Sequence, residues 1–233
     1  MKILTIIPAR GGSKGIPLKN LAKINGMPLV AFSIEHSLAS KLINRTIVST
    51  DNEEIAKVSE KYGAEIPIFR SKELAGDDVL DFPVFEHMLT YLKKEENYEP
   101  DIVVHLRPTS PYRKPEWIDS AINLLIKDSS ADSVRSVSEP SQHPYRIFEI
   151  KNNYLHPLMN ERHPEPYLLR RQDLPKMYYY NCVIDVTKPS TIFNKKSMTG
   201  DKMLPYIMNM EDSIDIDAKV DLEFARFFLK DRI

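Results

Sequence analysis

Short apolar runs alternate with segments of helical periodicity over the first 137 residues, and this alternation restricts the fold more than any other feature. The runs are rich in β-branched residues, as buried strands are. They cover residues 2–9, 45–50, 66–69, 102–106 and 132–137. Strands that alternate with helices pair in parallel through helical crossovers. The sequence therefore predicts a doubly wound α/β domain with a mainly parallel sheet.

Local signals place the helices between these runs. Pro28 suits the first position of a helix, and an apolar stripe follows it. Asp51 and Glu54 have the spacing of a capping box at the start of the next helix. Asp81 precedes a third stripe, where it would fit as the N-cap.

The alternation breaks between residues 139 and 177, where six prolines interrupt any long element. We interpret this stretch as an arm that leaves the main sheet. Residues 178–186 and 203–210 then return as predicted strands, and a last apolar stripe predicts a C-terminal helix. The prediction is one domain over residues 1–233 that includes the arm.

Net charge and cysteine content limit the class of protein. The formal net charge is -1, so overall charge favours neither nucleic acid nor an anionic membrane as a partner. No apolar run approaches the roughly 20 residues of a membrane-spanning helix. Cys182 is the only cysteine, which excludes an intrachain disulfide. We therefore expect a cytoplasmic protein that binds neither nucleic acid nor membrane.

The segment after the first strand, "ARGGSKGIPLKN" (Ala9–Asn20), combines cations with glycines. Ligands of parallel α/β sheets bind beyond the carboxyl ends of the strands. Glycine lets the backbone approach a ligand closely, consecutive amides form an anion-binding concavity, and lysine and arginine add positive charge. The segment therefore suits a polyphosphate, although a solvated basic turn would carry the same residues. Its spacing matches neither the P-loop nor the dinucleotide fingerprint.

The same segment resembles the opening signature of the sialic-acid cytidylyltransferases, the CMP-N-acylneuraminate synthetases. Three further stretches match in the same order: "RSKELAGDD" (Arg70–Asp78), "LRPTSPYR" (Leu106–Arg113) and "SIDIDAKVDLEFA" (Ser213–Ala225). The resemblance implies an enzyme that transfers CMP from CTP to the anomeric hydroxyl of a nonulosonic acid and releases pyrophosphate. It also implies Mg²⁺ as the cofactor and a homodimer held by the arm.

The resemblance assigns a set of residues to the nucleotide. In the family, the equivalents of Arg10, Lys14 and Lys19 contact phosphates, and the equivalent of Asn20 contacts the base. The full set is Arg10, Gly11, Gly12, Ser13, Lys14, Lys19, Asn20, Arg70, Asp81 and Arg146. Asp81 stands where the family has serine. A carboxylate only accepts hydrogen bonds, so it suits the amino group of cytosine and also the N–H donors of guanine. GTP therefore stays open as the donor.

The stretch "SIDID" places Asp215 and Asp217 two residues apart. In an extended segment both carboxylates project to the same side, where they could share a Mg²⁺ that also binds phosphate oxygens. The spacing alone favours a helix cap at this point, whereas the resemblance implies the metal site. It also implies catalytic roles for Arg10 and Lys19. Asp217 is a candidate to help deprotonate the attacking hydroxyl.

The residues that the resemblance places beside the sugar are Arg107, Arg171, Gln172, Tyr179 and Asn181. Arg171, Gln172 and Asn181 match the family pattern, whereas other positions depart from it. Arg107 stands where many relatives carry glutamine, Tyr179 where they carry arginine, and Cys182 where they carry glycine. A guanidinium at residue 107 fits a carboxylate or hydroxyls of the sugar, or else a structural ion pair at the strand end.

Several functions stay open at this point. Sialic, legionaminic and pseudaminic acids are the candidate acceptors. The enzymatic alternatives are a GTP-dependent transfer to legionaminic acid and a CTP-dependent transfer to an eight-carbon acid such as Kdo. The alternative from another class is a regulatory module that binds a nucleotide without catalysis, and the aspartate pair argues against it.

Overall fold

The structure, a computed structural model, describes residues 1–230 and is built around a six-stranded sheet. In chain order the strands are β1 (Ile3–Pro8), β2 (Lys23–Ile24), β3 (Met27–Pro28), β4 (Arg45–Ser49), β5 (Ile102–His105), β6 (Ser133–Ser138), β7 (Phe148–Lys151), β8 (Tyr154–Pro157), β9 (Tyr179–Thr187) and β10 (Met203–Ile207). The helices are α1 (Leu29–Ala39), α2 (Glu53–Lys61), α3 (Asp81–Glu95), α4 (Pro115–Lys127), α5 (Pro189–Lys195) and α6 (Lys219–Phe228).

The large sheet has the order β10-β6-β9-β5-β1-β4. The pairs β1–β4, β1–β5 and β6–β10 are parallel, whereas β9 is antiparallel to both of its neighbours. β9 begins beside the end of β6, where Tyr179 pairs with Ser138, so the chain returning from the arm runs back along β6. The predicted α/β fold with a mainly parallel sheet is confirmed, with one antiparallel strand inserted.

Helices cover both faces of the sheet because alternate strand residues point to opposite faces. Ile7 of β1 belongs to a buried cluster with Val30 of α1 and Ile118 of α4. Its neighbour Ile6 belongs to a second cluster, with Phe85 of α3. The sheet is therefore doubly wound, and the helices leave its carboxyl edge open.

The prediction of a strand at residues 66–69 is wrong. The chain touches β4 only through one parallel bridge between Glu65 and Ile47. It then passes Pro67, which has no N–H to donate to a strand ladder. The next backbone hydrogen bond here is from the Arg70 N–H to the carbonyl of Thr50, just after β4, at 2.8 Å.

The predicted capping box at the start of α2 is also wrong. Asn52 is the N-cap, and its side chain accepts hydrogen bonds from the backbone N–H groups of Glu54 at 2.9 Å and Ile55 at 3.0 Å. Asp51 instead accepts a hydrogen bond from the Gly11 N–H at 2.8 Å. The carboxylate thereby ties the opening loop to the end of β4.

The arm connects β6 to β9 and contains the hairpin β7–β8 and short 3-10 turns. The hairpin leaves Ile150 73%, Tyr154 73% and Leu155 65% exposed. An exposed apolar group of this kind is typical of a surface that contacts another protein. No helix within residues 1–230 is long and apolar enough to cross a lipid bilayer.

Candidate active site

A cavity of about 360 Å³ opens at the carboxyl ends of β1 and β5. This is the edge at which open α/β sheets bind ligands. The predicted site residues that line it are Arg10, Ser13, Lys14, Lys19, Asn20, Arg70, Asp81, Arg107 and Asp217. Residues from both ends of the chain therefore meet in one cavity.

The opening loop folds back on itself at the mouth of this cavity. Asn20 is buried, and its Nδ2 donates to the Arg10 carbonyl at 2.8 Å. Gly15 lies against the segment that carries the aspartate pair, because a Cβ atom at this position would lie 2.4 Å from the Asp217 carbonyl oxygen. No real Cβ approaches a backbone oxygen so closely, so glycine is required here.

Two cations of the loop share one carboxylate. Arg10 Nη1 lies 2.8 Å from Asp77 Oδ1, and Lys14 Nζ lies 2.9 Å from Asp77 Oδ2. Hydrogen bonding from Lys14, aided by Arg10, lowers the pKa of Asp77 below its ordinary value. A phosphate that binds to these two cations must therefore compete with Asp77.

The third cation joins the N-terminal loop to the aspartate segment. Lys19 Nζ donates to the Ile216 carbonyl at 2.8 Å and to Asp217 Oδ1 at 3.1 Å. The Lys19 side chain is mostly buried, whereas Asp217 is well exposed to solvent. The ammonium is therefore held in place while the carboxylate stays accessible to a ligand.

The aspartate segment is extended and alternates between core and solvent. Ile214 and Ile216 are buried beneath α6 and α1, and the Ile216 N–H donates to the Thr109 carbonyl at 2.9 Å. Partial loss of water raises the pKa of Asp215; a hydrogen bond from Thr109 opposes this shift, and the charge of Asp217 adds to it. A cation bound between the carboxylates would relieve that repulsion.

Asp221 caps helix α6, so the alternative role of Asp217 as the cap is wrong. Asp221 Oδ2 accepts hydrogen bonds from the N–H groups of Asp217 at 3.0 Å and Ala218 at 2.7 Å. The carboxylate of Asp217 is therefore directed to Lys19 and the cavity rather than to the helix.

Arg70 is buried in the cavity wall. Its Nη2 donates to the Ser49 carbonyl at 2.7 Å and its Nε to Ser49 Oγ at 3.2 Å. Burial lowers the pKa of Arg70 to about 10, which leaves the guanidinium charged near neutral pH. Asp51 and Asp81 act against that shift.

Arg107 lies between two carboxylates. Its Nη1 is 2.6 Å from Asp185 Oδ2 and its Nη2 is 2.8 Å from Asp81 Oδ2. Burial opposes its charge, but Asp185, Tyr180 and Asp81 outweigh burial and raise the pKa of Arg107. The predicted N-cap at Asp81 is wrong, because Leu80 occupies the cap position of α3 and Asp81 is the first helical residue.

The two arm arginines line a different cavity. Arg146 and Arg171 border a space of about 370 Å³ together with His143 and Lys176. Arg146 Nη2 donates to the Leu169 carbonyl at 3.2 Å, and Gln172 is exposed on a short turn. Within residues 1–230, the fold does not bring these side chains to the lining of the first cavity.

Tyr179 and Asn181 begin strand β9. The Tyr179 hydroxyl lies 2.9 Å from Ser213 Oγ, close to the aspartate segment. Asn181 is buried; its Nδ2 donates to Ser138 Oγ at 2.8 Å, and its Oδ1 accepts from Ser136 Oγ at 2.5 Å. Its amide thus stabilises the shift in register between β6 and β9. A contact of Asn181 with a sugar stays a prediction.

Cys182 adopts a left-handed backbone conformation, with φ at 61°. Glycine adopts this conformation without steric cost, and few other residues do. Cys182 is half-buried and lies in the irregular part of β9.

Sequence reasoning missed Asp77 and Asp185. Asp77 lies within a stretch that the resemblance uses, but its position between two cations depends on how distant loops fold together. Asp185 is 1% exposed and interrupts an apolar strand. A lone carboxylate within such a strand was the signal that could have indicated it, because buried charges are paired.

The fold and the site define an α/β nucleotidyltransferase. The chain resembles the solved structure of a CMP:2-keto-3-deoxy-manno-octonic acid synthetase complexed with CTP, with a TM-score of 0.75 over 100% of both chains and 15% sequence identity. At that identity the likeness shows the fold alone.

A family model named cytidylyltransferase matches residues 4–200, so the chain belongs to the cytidylyltransferase family. It is 35% identical to the CMP-N,N'-diacetyllegionaminic acid synthase of Legionella pneumophila, over 95% of this chain and 93% of the relative. It is 33% identical to the N-acylneuraminate cytidylyltransferase of Escherichia coli, over 96% of this chain and 51% of that relative. The predicted family is confirmed.

Proposed function

We propose that the protein transfers CMP from CTP to the anomeric hydroxyl of a nonulosonic acid and releases pyrophosphate. The observation that carries this proposal is the contact of Lys19 with Asp217 inside a cavity that Arg10 and Lys14 also line. Phosphate-binding cations and a carboxylate pair at one site are what nucleotidyl transfer requires.

The chain's own residues position the triphosphate and neutralise its charge. Arg10 can bind phosphate oxygens bidentately, whereas Lys14 and Lys19 act as point charges. Binding of the phosphates releases Arg10 and Lys14 from Asp77. Asp217, close to Lys19, is the candidate to accept the proton of the attacking hydroxyl.

Asp215 and Asp217 fit a Mg²⁺ ion. Their carboxylates supply hard oxygen ligands, and Mg²⁺ is often held by one or two carboxylates together with substrate phosphates. Burial is the main cause of the raised pKa of Asp215, and the charge of Asp217 adds to it, so a cation between the two carboxylates would be favoured. A bound Mg²⁺ would polarise the phosphates and offset the charge that develops on them.

Legionaminic and sialic acids are the acceptors that the named relatives favour, and pseudaminic acid is a third candidate. CTP is the proposed donor, since the family and these relatives are named for cytidylyl transfer. GTP and a Kdo-type acceptor are the alternatives. The predicted contacts of Asn20 and Arg70 with the nucleotide agree with their place in the cavity wall.

We also propose a homodimer through the arm. The exposed apolar hairpin β7–β8 supports this, and so does the second, basic cavity, whose Arg171 could then serve the partner's site. A cytoplasmic location stays a prediction.

A substrate panel tests this function. Each of the four nucleoside triphosphates is incubated with Mg²⁺, the enzyme and one keto acid at a time, and pyrophosphate release is measured. We expect release with CTP and at least one nonulosonic acid. Release only with Kdo would reassign the acceptor, and preference for GTP would reassign the donor. CTP binding without turnover on any acid would support the regulatory module instead.

A further inference from the structure

Asp81 and Arg107, two positions at which the chain departs from the family pattern, contact each other across the cavity wall. We infer that Asp81 acts through Arg107: together with Asp185 it positions the guanidinium to bind the carboxylate of the acceptor. Asp81 is then a positioning residue for the acid rather than a reader of the nucleotide base. The inference rests on the proposed function.

The geometry fixes Arg107 from two sides. Asp185 Oδ2 accepts from Arg107 Nη1 at 2.6 Å, and Asp81 Oδ2 accepts from Nη2 at 2.8 Å. The Tyr180 hydroxyl lies 3.0 Å from Nη1 and itself donates to Asp185. Both carboxylates stand on regular elements, Asp185 on β9 and Asp81 at the first position of α3. Rigid supports of this kind hold a side chain within the narrow range of positions that recognition needs.

The guanidinium keeps donors for a ligand. It has five N–H groups, of which the two on Nη1 face Asp185 and Tyr180 and one on Nη2 faces Asp81. Among the contacts of residues 1–230, one N–H on Nη2 and the one on Nε are left. Two neighbouring donors can bind one carboxylate. The Arg107 side chain is 21% exposed and borders the cavity, so a ligand can reach it.

The charges around this group favour an anion. Arg70, Arg107, Arg113 and Arg135 all act on the buried His105. Burial first, and then these four cations, hold the pKa of His105 well below its ordinary value, so the imidazole is neutral. Asp81 and Asp185 are the carboxylates near His105 in the described chain. The lining of the cavity itself carries the cations Arg10, Lys14, Lys19, Arg70 and Arg107 against the carboxylates Asp81 and Asp217, so it has a positive surplus.

This arrangement also bears on the base. One oxygen of Asp81 is already engaged by Arg107, and its charge is matched by the guanidinium. A carboxylate held in this way is less free to accept a hydrogen bond from cytosine or guanine. Asp81 therefore does not by itself favour either nucleotide.

A double-mutant cycle tests the inference. The variants Asp81→Asn, Arg107→Gln and the double variant are assayed for the KM of the acid and the KM of CTP. We expect each single change to raise the KM of the acid about tenfold, as for loss of a charge-assisted contact, with the KM of CTP unchanged. We expect the double variant to match Arg107→Gln, because Asp81 has no role without the guanidinium.

Arg45 provides the matched control. Its guanidinium also lies between two carboxylates, those of Glu65 and Glu96, but on the outside of the domain. Arg45→Gln should lower the melting temperature and leave both KM values unchanged. If Arg107→Gln does not fold, Arg107→Lys replaces it, since lysine keeps the charge and loses the paired donors.

Three outcomes would overturn the inference. If Asp81→Asn raises the KM of CTP, and raises it equally in the wild type and in Arg107→Gln, Asp81 contacts the base. If the effects of the two single changes on the KM of the acid add in the double variant, Asp81 and Arg107 have independent roles. If the KM of the acid changes no more in Asp81→Asn and Arg107→Gln than in Arg45→Gln, the contact between Asp81 and Arg107 is only a structural ion pair. An inactive wild type on the whole panel is the distinct result that removes the proposed function and this inference with it.

Discussion

At the scale of single residues, the site depends on close contacts between segments far apart in the sequence. Gly15 is the clearest case, since its missing side chain lets the opening loop reach the backbone of Asp217. The contact of Lys19 with Asp217 is made by the same approach. Both contacts link the proposed phosphate-binding loop to the proposed metal site.

We expect Gly15→Ala to separate these two segments, because the new Cβ would meet the Asp217 carbonyl oxygen at 2.4 Å and the backbone must shift. The melting temperature and the affinity for CTP, measured by calorimetry, should both fall. Gly12→Ala is the matched control: a Cβ there meets nothing within 4 Å, so its melting temperature should equal that of the wild type. Equal melting temperatures for the two variants would contradict this account of the loop.

Asp77→Asn should strengthen phosphate binding. The change removes a carboxylate that neutralises Arg10 and Lys14, so a triphosphate no longer competes for them. We expect the Kd of CTP to fall by about threefold to tenfold, with less change at high salt because screening weakens the ion pairs. Asp78→Asn, next in the chain, is the control. A weaker affinity for CTP in Asp77→Asn would show that Asp77 instead orients the cations for the ligand.

At the scale of elements, the capping of helix α6 determines where the aspartate segment ends. Asp221 Oδ2 accepts hydrogen bonds from the N–H groups of Asp217 and Ala218. Asp217, the last residue of the aspartate segment, is therefore held at the start of the helix. The sequence predicted the helix and the aspartate pair but left open which aspartate caps. Several carboxylate groups lie close together in this part of the sequence, and the path of the backbone decides which of them accepts the N–H groups at the helix start.

We expect Asp221→Ala to lower the free energy of unfolding by about 1 kcal/mol, as for loss of a capping side chain in the first turn of a helix. Turnover should fall as well, because Asp217 is no longer held beside Lys19. Glu223→Ala on the same helix pairs only with Arg226 among the described ion pairs and should leave turnover unchanged. Chemical denaturation and pyrophosphate release measure the two effects. Normal turnover in Asp221→Ala would mean that the cap does not position Asp217.

The elements also show how far sequence reasoning reaches. The alternation of strands and helices predicted the α/β fold, because burial on both faces requires apolar strands and amphipathic helices. It could not give the direction of β9, which depends on where the arm returns. The prediction of a strand at residues 66–69 is wrong because Pro67 prevents the hydrogen-bonded strand ladder that the apolar residues otherwise favour. Nine of the predicted site residues line one cavity, whereas partners such as Asp77 and Asp185 depend on contacts across the fold.

At the scale of the whole molecule, the proposed homodimer depends on the arm. Its basic cavity lies apart from the main one in the chain described here, and its hairpin exposes apolar side chains. A second copy of the chain would cover the hairpin and could bring Arg171 to the neighbouring site.

We expect Leu155→Glu to convert the protein to a monomer, since a charge in an apolar interface must lose its water. Phe227→Glu is the control, because Phe227 is 80% exposed but lies on α6, outside the arm. Size-exclusion chromatography with light scattering gives the mass of each variant. A dimer that survives Leu155→Glu, or a wild type that is monomeric, would contradict this role of the arm.

The most direct test of the central claim is the turnover of Asp215→Ala. The claim is that cations from the start of the chain and the carboxylate pair near its end act on one triphosphate. We predict that turnover falls by about three orders of magnitude, as for loss of a metal site, while the melting temperature and CTP binding without Mg²⁺ are retained. Wild-type turnover with an unchanged dependence on Mg²⁺ would contradict the claim.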